Sequence, residues 1–81
     1  MKNLNKLRVG ELASIQLIKT DKDENLAIRL AHLGFLENES ITVLKKTPFT
    51  GDALLISIRG AQIALTKREA NIILVQICQK N

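Results

Sequence analysis

Few side chains in this sequence are able to do chemistry. It holds one histidine, His32, and one cysteine, Cys78, in 81 residues. A Ser-His-Asp set can be written from Ser14 or Ser40, His32 and an aspartate, but neither serine sits in a GxSxG elbow and His32 falls within a helical pattern. His32 reads instead as a surface imidazole at the negative end of a helix, and Cys78 as a small strand residue at the rim of a core. A single Cys and a single His cannot close a four-ligand zinc site, and a lone Cys has no internal disulfide partner. Glu37 and Glu39 could clip a divalent cation with Asp52, but only as a weak, adventitious site. No GxxxxGK phosphate loop is present, and the four glycines are too dispersed for GxGxxG. The expectation is a protein that is not an enzyme and has no resident cofactor or metal.

The remaining functional candidates are surfaces. Phe35-Leu36 and Pro48-Phe49 place apolar residues in turn regions, outside any regular pattern. Either they plug the ends of a core or they line an apolar patch that docks a partner. The net charge is +4, but the twelve Lys and Arg residues are scattered and form only the adjacent pairs Lys45-Lys46 and Lys67-Arg68. Single-strand nucleic-acid binding needs stacking platforms. Phe35 and Phe49 are the only aromatic residues, and Phe35 is better used to close a helix.

These residues have to be positioned by a small scaffold. Hydrophobic residues make up 46% of the chain and charged residues 25%, an ordinary globular balance for one domain over 1–81. The apolar run Ile72 to Val75 has four residues, far short of the roughly 18 of a membrane span. The N-terminal MKNLNKLRVGEL lacks the apolar stretch of a secretory signal. A reduced, cytoplasmic protein is expected.

Leu4 and Leu7 suit one helical or 3₁₀ turn closed by Gly10. Ala13, Ile15 and Leu17 alternate, which predicts a strand over 13–18. Residues 22–33 read as a helix with Leu26, Leu30 and Leu33 on one face, and Asp21 with Glu24 as a capping box. Gly34 is placed as the left-handed residue after it, with Phe35 packing back onto Leu30. Ile41 and Val43 begin a strand running to Lys46. Pro48 ends it, and Thr50-Gly51-Asp52 turns the chain. Leu54, Ile56 and Ile58 alternate, and Gly60-Ala61 fits a type II′ hairpin loop into the strand of Ile63 and Leu65. Thr66 to Glu69 is a second capping-box pattern, and Ile73, Val75 and Ile77 form a last strand. The sum is a mainly β protein: a small SH3-like barrel of about five strands, one α-helix after the first strand and a short helical turn before the last. An OB or Sm-like barrel is the alternative from pattern alone.

The ordered fragments Leu4-x-x-Leu7-x-x-Gly10-Glu11, Arg29-Leu30-x-x-Leu33-Gly34-Phe35, Thr47-Pro48-Phe49-x-Gly51-Asp52, Ile58-x-Gly60, Ala64-Leu65 and Glu69-Ala70 resemble the FeoA family. The likeness covers about residues 4 to 77. It departs from the family pattern at the inserted Thr50, at Ala53 and at Thr66. It implies an SH3-like barrel and a non-enzymatic, cytoplasmic accessory protein of bacterial ferrous iron uptake. The implied partner is the cytoplasmic domain or loops of the FeoB transporter, reached by a monomer or weak oligomer that meets the membrane only through that partner. Leu30, Gly34, Phe35, Gly60 and Glu69 are then structural, Glu69 as a cap. Leu33, Leu36, Lys45, Lys46, Pro48, Phe49 and Asp52 remain for partner binding. The same domain resembles the C-terminal module of iron- and manganese-dependent repressors, so a metal-linked regulatory module and a nucleic-acid-binding barrel are the alternatives. No winged-helix domain precedes it here, which favours the transport role.

Overall fold

The period-two segments become strands, and every pairing between them is antiparallel. The computed structural model describes residues 2–21, 23–47 and 53–78. Its elements in chain order are β1 (Lys2–Asn3), a 3₁₀ turn (Leu4–Lys6), β2 (Leu12–Ile18), α1 (Glu24–His32), β3 (Ser40–Lys46), β4 (Leu54–Ile58), β5 (Ala61–Leu65), α2 (Lys67–Asn71) and β6 (Ile73–Ile77). They form one six-stranded sheet in the order β1-β6-β2-β3-β4-β5. The expectation was about five strands with the main helix after the first. The added strand is the two-residue β1, which carries no alternation to read and is held by its register with Leu74 and Val75. The helix therefore follows the second strand.

The sheet curls around one core of Leu4, Leu7, Ile15, Leu30, Phe35, Ile41, Ile56, Ile73, Val75 and their neighbours. Helix α2 packs on β5, β6 and the 3₁₀ turn, bridging the two ends of the sheet. That arrangement covers a sheet whose outer strands would otherwise be open edges.

Two bulges set which side chains enter the core. In β2 the register with β6 shifts between Ile15 and Leu17. An extra residue in one strand reverses the in-out phase beyond it. Ala13 and Ile15 are buried, but Leu17 turns out to 52% exposure while Ile18 packs on the core. The simple alternation of Ala13, Ile15 and Leu17 on one side is thus corrected. The second bulge, in β3 between Val43 and Lys45, leaves Leu44 exposed.

Helix α1 begins two residues later than its pattern suggested, because Asp23 and not Asp21 is the cap. Its Oδ1 accepts the Leu26 N–H at 3.1 Å. The end matches expectation: Gly34 has φ +100°, the Gly34 N–H donates to Ala31 O, and the Phe35 N–H donates to Leu30 O, both at 3.1 Å. This is the Schellman pattern, with buried Phe35 and Leu30 in the same cluster. Leu33 is the C-cap and is 40% exposed, so it leaves the buried face of Leu26 and Leu30.

The β4–β5 loop is Arg59-Gly60, one residue earlier than expected, since Ile58 pairs with Ala61. Both loop residues have positive φ, 51° and 80°. That is the type I′ pattern, whose twist matches the flanking strands. Gly10, also at positive φ, turns the chain into β2 and does not end the 3₁₀ segment. No helix among the described residues is long and apolar enough to cross a membrane.

Candidate functional site

The polar side chains of the fold are occupied mostly in holding it together. Thr66 caps α2: its Oγ accepts the Glu69 N–H at 3.2 Å, and Glu69 Oε1 accepts the Thr66 N–H at 2.8 Å and hydroxyl at 3.1 Å. The reciprocal capping box read from the sequence is therefore complete. Glu69 is also the only buried charged residue among those described. Arg29 of α1 stands with Nη1 3.1 Å from Glu69 Oε2, an ion pair whose N–H is not aligned to hydrogen-bond that oxygen. Arg68 of α2 reaches Asp23 Oδ2 at 2.6 Å. The two arginines tie α1 to α2 at both carboxylates.

The expected chemical candidates are kept apart. His32 and Cys78 are exposed, Cys78 just beyond β6 with its N–H donating to Leu12 O. Glu39 pairs with Arg59 at 3.5 Å, whereas Glu37 opens to solvent. No group of three His, Cys, Asp or Glu able to hold a metal ion occurs among the described residues. Phe35 is 1% exposed and cannot serve as a stacking platform for bases.

What the surface does offer is an open groove of about 670 Å³ between β2 and α1. Ala27, Ile28 and Ala31 form its helical wall, Ile15 to Ile18 the opposite wall, and Leu36 one end. Leu17, Ile28 and Leu36 are each about half exposed there. A second cleft, of about 370 Å³, is lined by Lys6, Lys46 and Lys67 beside Asn5 and Leu54. Lys46 Nζ donates to Asn5 O at 3.2 Å across it.

The surface residues expected to bind a partner thus divide. Leu36 lines the apolar groove, Lys46 lines the basic cleft, and neither cleft includes Leu33. Lys45 is exposed on β3. Pro48, Phe49 and Asp52 lie outside the described residues. Leu17 and Ile28 belong to the groove and were missed. The adjacent apolar pair Leu17-Ile18 breaks the strand alternation, and Ile28 falls off the Leu26–Leu30 stripe; both were signals of an exposed apolar position.

A curled antiparallel sheet of short strands, with a capped helix on one side and a helical turn bridging its ends, defines a small SH3-like barrel. The chain belongs to the FeoA family: the FeoA domain model matches residues 2–77. It is similar to FeoA of Stenotrophomonas maltophilia, an SH3 domain protein solved with zinc, at 26% identity and a TM-score of 0.80 over 94% of this chain and 91% of that one. It is similar to iron(II) transport protein A of Clostridium thermocellum at 29% identity and a TM-score of 0.80, over 93% of this chain and 44% of that one. A manganese-dependent transcriptional repressor solved with manganese shares the fold, at a TM-score of 0.87 and 24% identity over 95% of this chain and 36% of that one. No curated protein sequence matches the chain.

Proposed function

We propose that this protein is a non-enzymatic accessory module of bacterial ferrous iron uptake. It acts in the cytoplasm by docking on the cytoplasmic part of a FeoB-type transporter, through the apolar surface beside α1. One observation carries this reading: the FeoA family match over nearly the whole chain. The Stenotrophomonas relative has been put forward as a ferrous iron transport activating factor, which supports the same role here. The exposed Leu17, Ile28 and Leu36 supply the kind of apolar patch that protein partners cover. The module works without a resident metal or cofactor, and meets the membrane only through its partner.

The test is calorimetric titration of the chain against the purified cytoplasmic domain of the FeoB from the same organism, beside ferrous iron uptake by cells lacking the chain. Saturable binding and reduced uptake restored by the wild-type gene are expected. Unchanged uptake with no binding to that domain or to the transporter's cytoplasmic loop peptides would overturn the proposal.

A further inference from the structure

The groove beside α1 has one property that an ordinary apolar patch lacks. Its strand wall is made of consecutive residues, Ile15, Gln16, Leu17 and Ile18. Alternate residues of a strand point to opposite faces. Beyond the bulge at Gln16, Leu17 points out and Ile18 packs on the core, so a cleft touched by both faces the strand's edge and not one of its faces. The pairing agrees: β3 pairs with β2 only over Leu12 to Ser14, while β6 continues along the other side to Ile18. On the groove side, Ile15 still exchanges backbone bonds with Asn38 and Glu39. Beyond it, no strand pairs with Gln16 to Ile18 on that edge among the described residues. The bulge at Gln16 lies where the pairing with β3 has ended, a common position for a feature that stops a ladder beside a site.

The opposite wall is a single helical face. Glu24, Ala27, Ile28 and Ala31 follow the i, i+3, i+4, i+7 spacing, and the two alanines keep the helix low enough to leave a slot. Each end of the slot carries a carboxylate: Glu24 beside Ile18 and Thr20, and Glu37 beside the Ile15 end. Among the described residues, neither side chain has an ion pair or hydrogen bond partner. The whole chain has a net charge of +4, so two acids at the ends of one apolar slot, unpaired among the described residues, single out its occupant by charge.

From this geometry we infer that the groove binds an extended peptide segment as an added strand on the free edge of β2, with apolar side chains at alternate positions and a Lys or Arg towards each end. The inference deepens the docking role given above by stating the mode and chemistry of binding. Backbone hydrogen bonds to Gln16–Ile18 provide the strand register, as in other cases of strand addition to a sheet edge. Ile28 and Leu36 receive the alternate apolar side chains, and Glu24 and Glu37 the flanking cations. The free edge of Gln16 to Ile18 matches about three residues of an added strand, at roughly 3.3 Å each.

The test starts with a random twelve-residue phage library panned against the full chain. Enriched peptides should alternate apolar and polar residues and carry flanking Lys or Arg. The best peptide is then synthesised in three forms: unmodified, N-methylated at alternate backbone nitrogens along one edge, and N-methylated along the other. One methylated form should lose at least tenfold in affinity while the other binds like the parent, because an added strand uses only one of its edges. Ile28→Lys, at a half-exposed helix position, should also lose at least tenfold with an unchanged thermal melt, whereas Leu33→Lys should bind normally. The inference is overturned by no enrichment over an unrelated protein, by peptides patterned every three to four residues, by acidic peptides, or by equal losses from both methylated forms. It is also overturned if the chain dimerises and peptide binding falls with dimer formation, which would give the groove to a second copy. Peptide binding without binding to the transporter domain would sink the transporter reading alone. Transporter binding unaffected by Ile28→Lys would sink the strand-addition mode alone.

Discussion

Single residues in this fold carry unequal weight, and Gly34 and Glu69 show why. At φ +100° Gly34 lies in a region that side-chain-bearing residues rarely enter. Space is not the constraint, since an added Cβ would meet only Arg59 Cδ at 4.0 Å. Gly34→Val should therefore destabilise through backbone strain alone, by about 1–3 kcal/mol in a urea melt. An unchanged midpoint would show that the Schellman ending is dispensable. Glu69 presents the opposite case, a charge held inside. Arg29 is largely solvated, and an exposed ion pair contributes at most about 1 kcal/mol. The carboxylate it faces is only 7% exposed, however, and Oε2 accepts no hydrogen bond. Losing a partner of a buried polar atom costs about 1–3 kcal/mol. Arg29→Ala should fall in that upper range, and the pair with Glu69→Gln should recover part of the loss, since Gln can keep the cap. A loss of a few tenths with no recovery would mean that water already serves Oε2.

At the scale of elements, the helices were legible because their ends are written in side chains. Thr66 with Glu69, and Gly34 with Phe35, each satisfy backbone groups through local bonds that do not depend on the rest of the fold. The starting cap of α1 was misplaced because Asp21 and Asp23 are chemically equivalent candidates, and only the chain path in the fold selects between them. Strand existence was equally clear, but the phase of β2 beyond Ile15 was not. A bulge is a property of two strands and leaves no mark in one. The groove was hidden for the same reason: Leu17 reaches the surface only because Gln16 is the extra residue. The hairpin slipped by one position because Gly60 suits either a II′ loop starting at Gly60 or a I′ loop ending there. That distinction yields a prediction. Arg59 holds φ 51°, a left-handed conformation costing a non-glycine residue about 1 kcal/mol, and Asn tolerates it better. Arg59→Asn also removes the exposed pair with Glu39, which at 3.5 Å contributes only a fraction of a kcal/mol. The turn should win, and the urea midpoint should rise by an amount equivalent to about 0.5 kcal/mol. A fall would show that the ion pair outweighs the strain.

At the scale of the whole molecule, stability and charge lead to separate expectations. No cluster of His, Cys, Asp or Glu able to hold a metal ion occurs among the described residues, so dialysis against a chelator should leave the thermal midpoint within about 1 °C, since only a ligand bound by the folded state raises it. A drop of several degrees would reveal a structural ion. The charge distribution matters more for association. Lys6, Lys46 and Lys67 line one cleft, Lys45 is exposed next to Lys46, and the acids Glu24 and Glu37 rim the apolar groove elsewhere. Charges at such a rim steer encounter over about a Debye length, roughly 8 Å at physiological salt, whereas buried apolar contacts hold the complex once formed. Lys45→Glu with Lys46→Glu should therefore slow association with the transporter's cytoplasmic domain several-fold and leave dissociation within about twofold. Raising the salt should shrink the difference from wild type. Ile28→Lys should do the reverse, speeding dissociation by tenfold or more while the rate of encounter changes little. Lys46 also holds Asn5 O, so the melt of the double variant has to be read beside its kinetics. If the lysine variant dissociates faster while its melt is unchanged, the basic cleft itself is in contact with the partner, and the apolar groove is not the sole anchor.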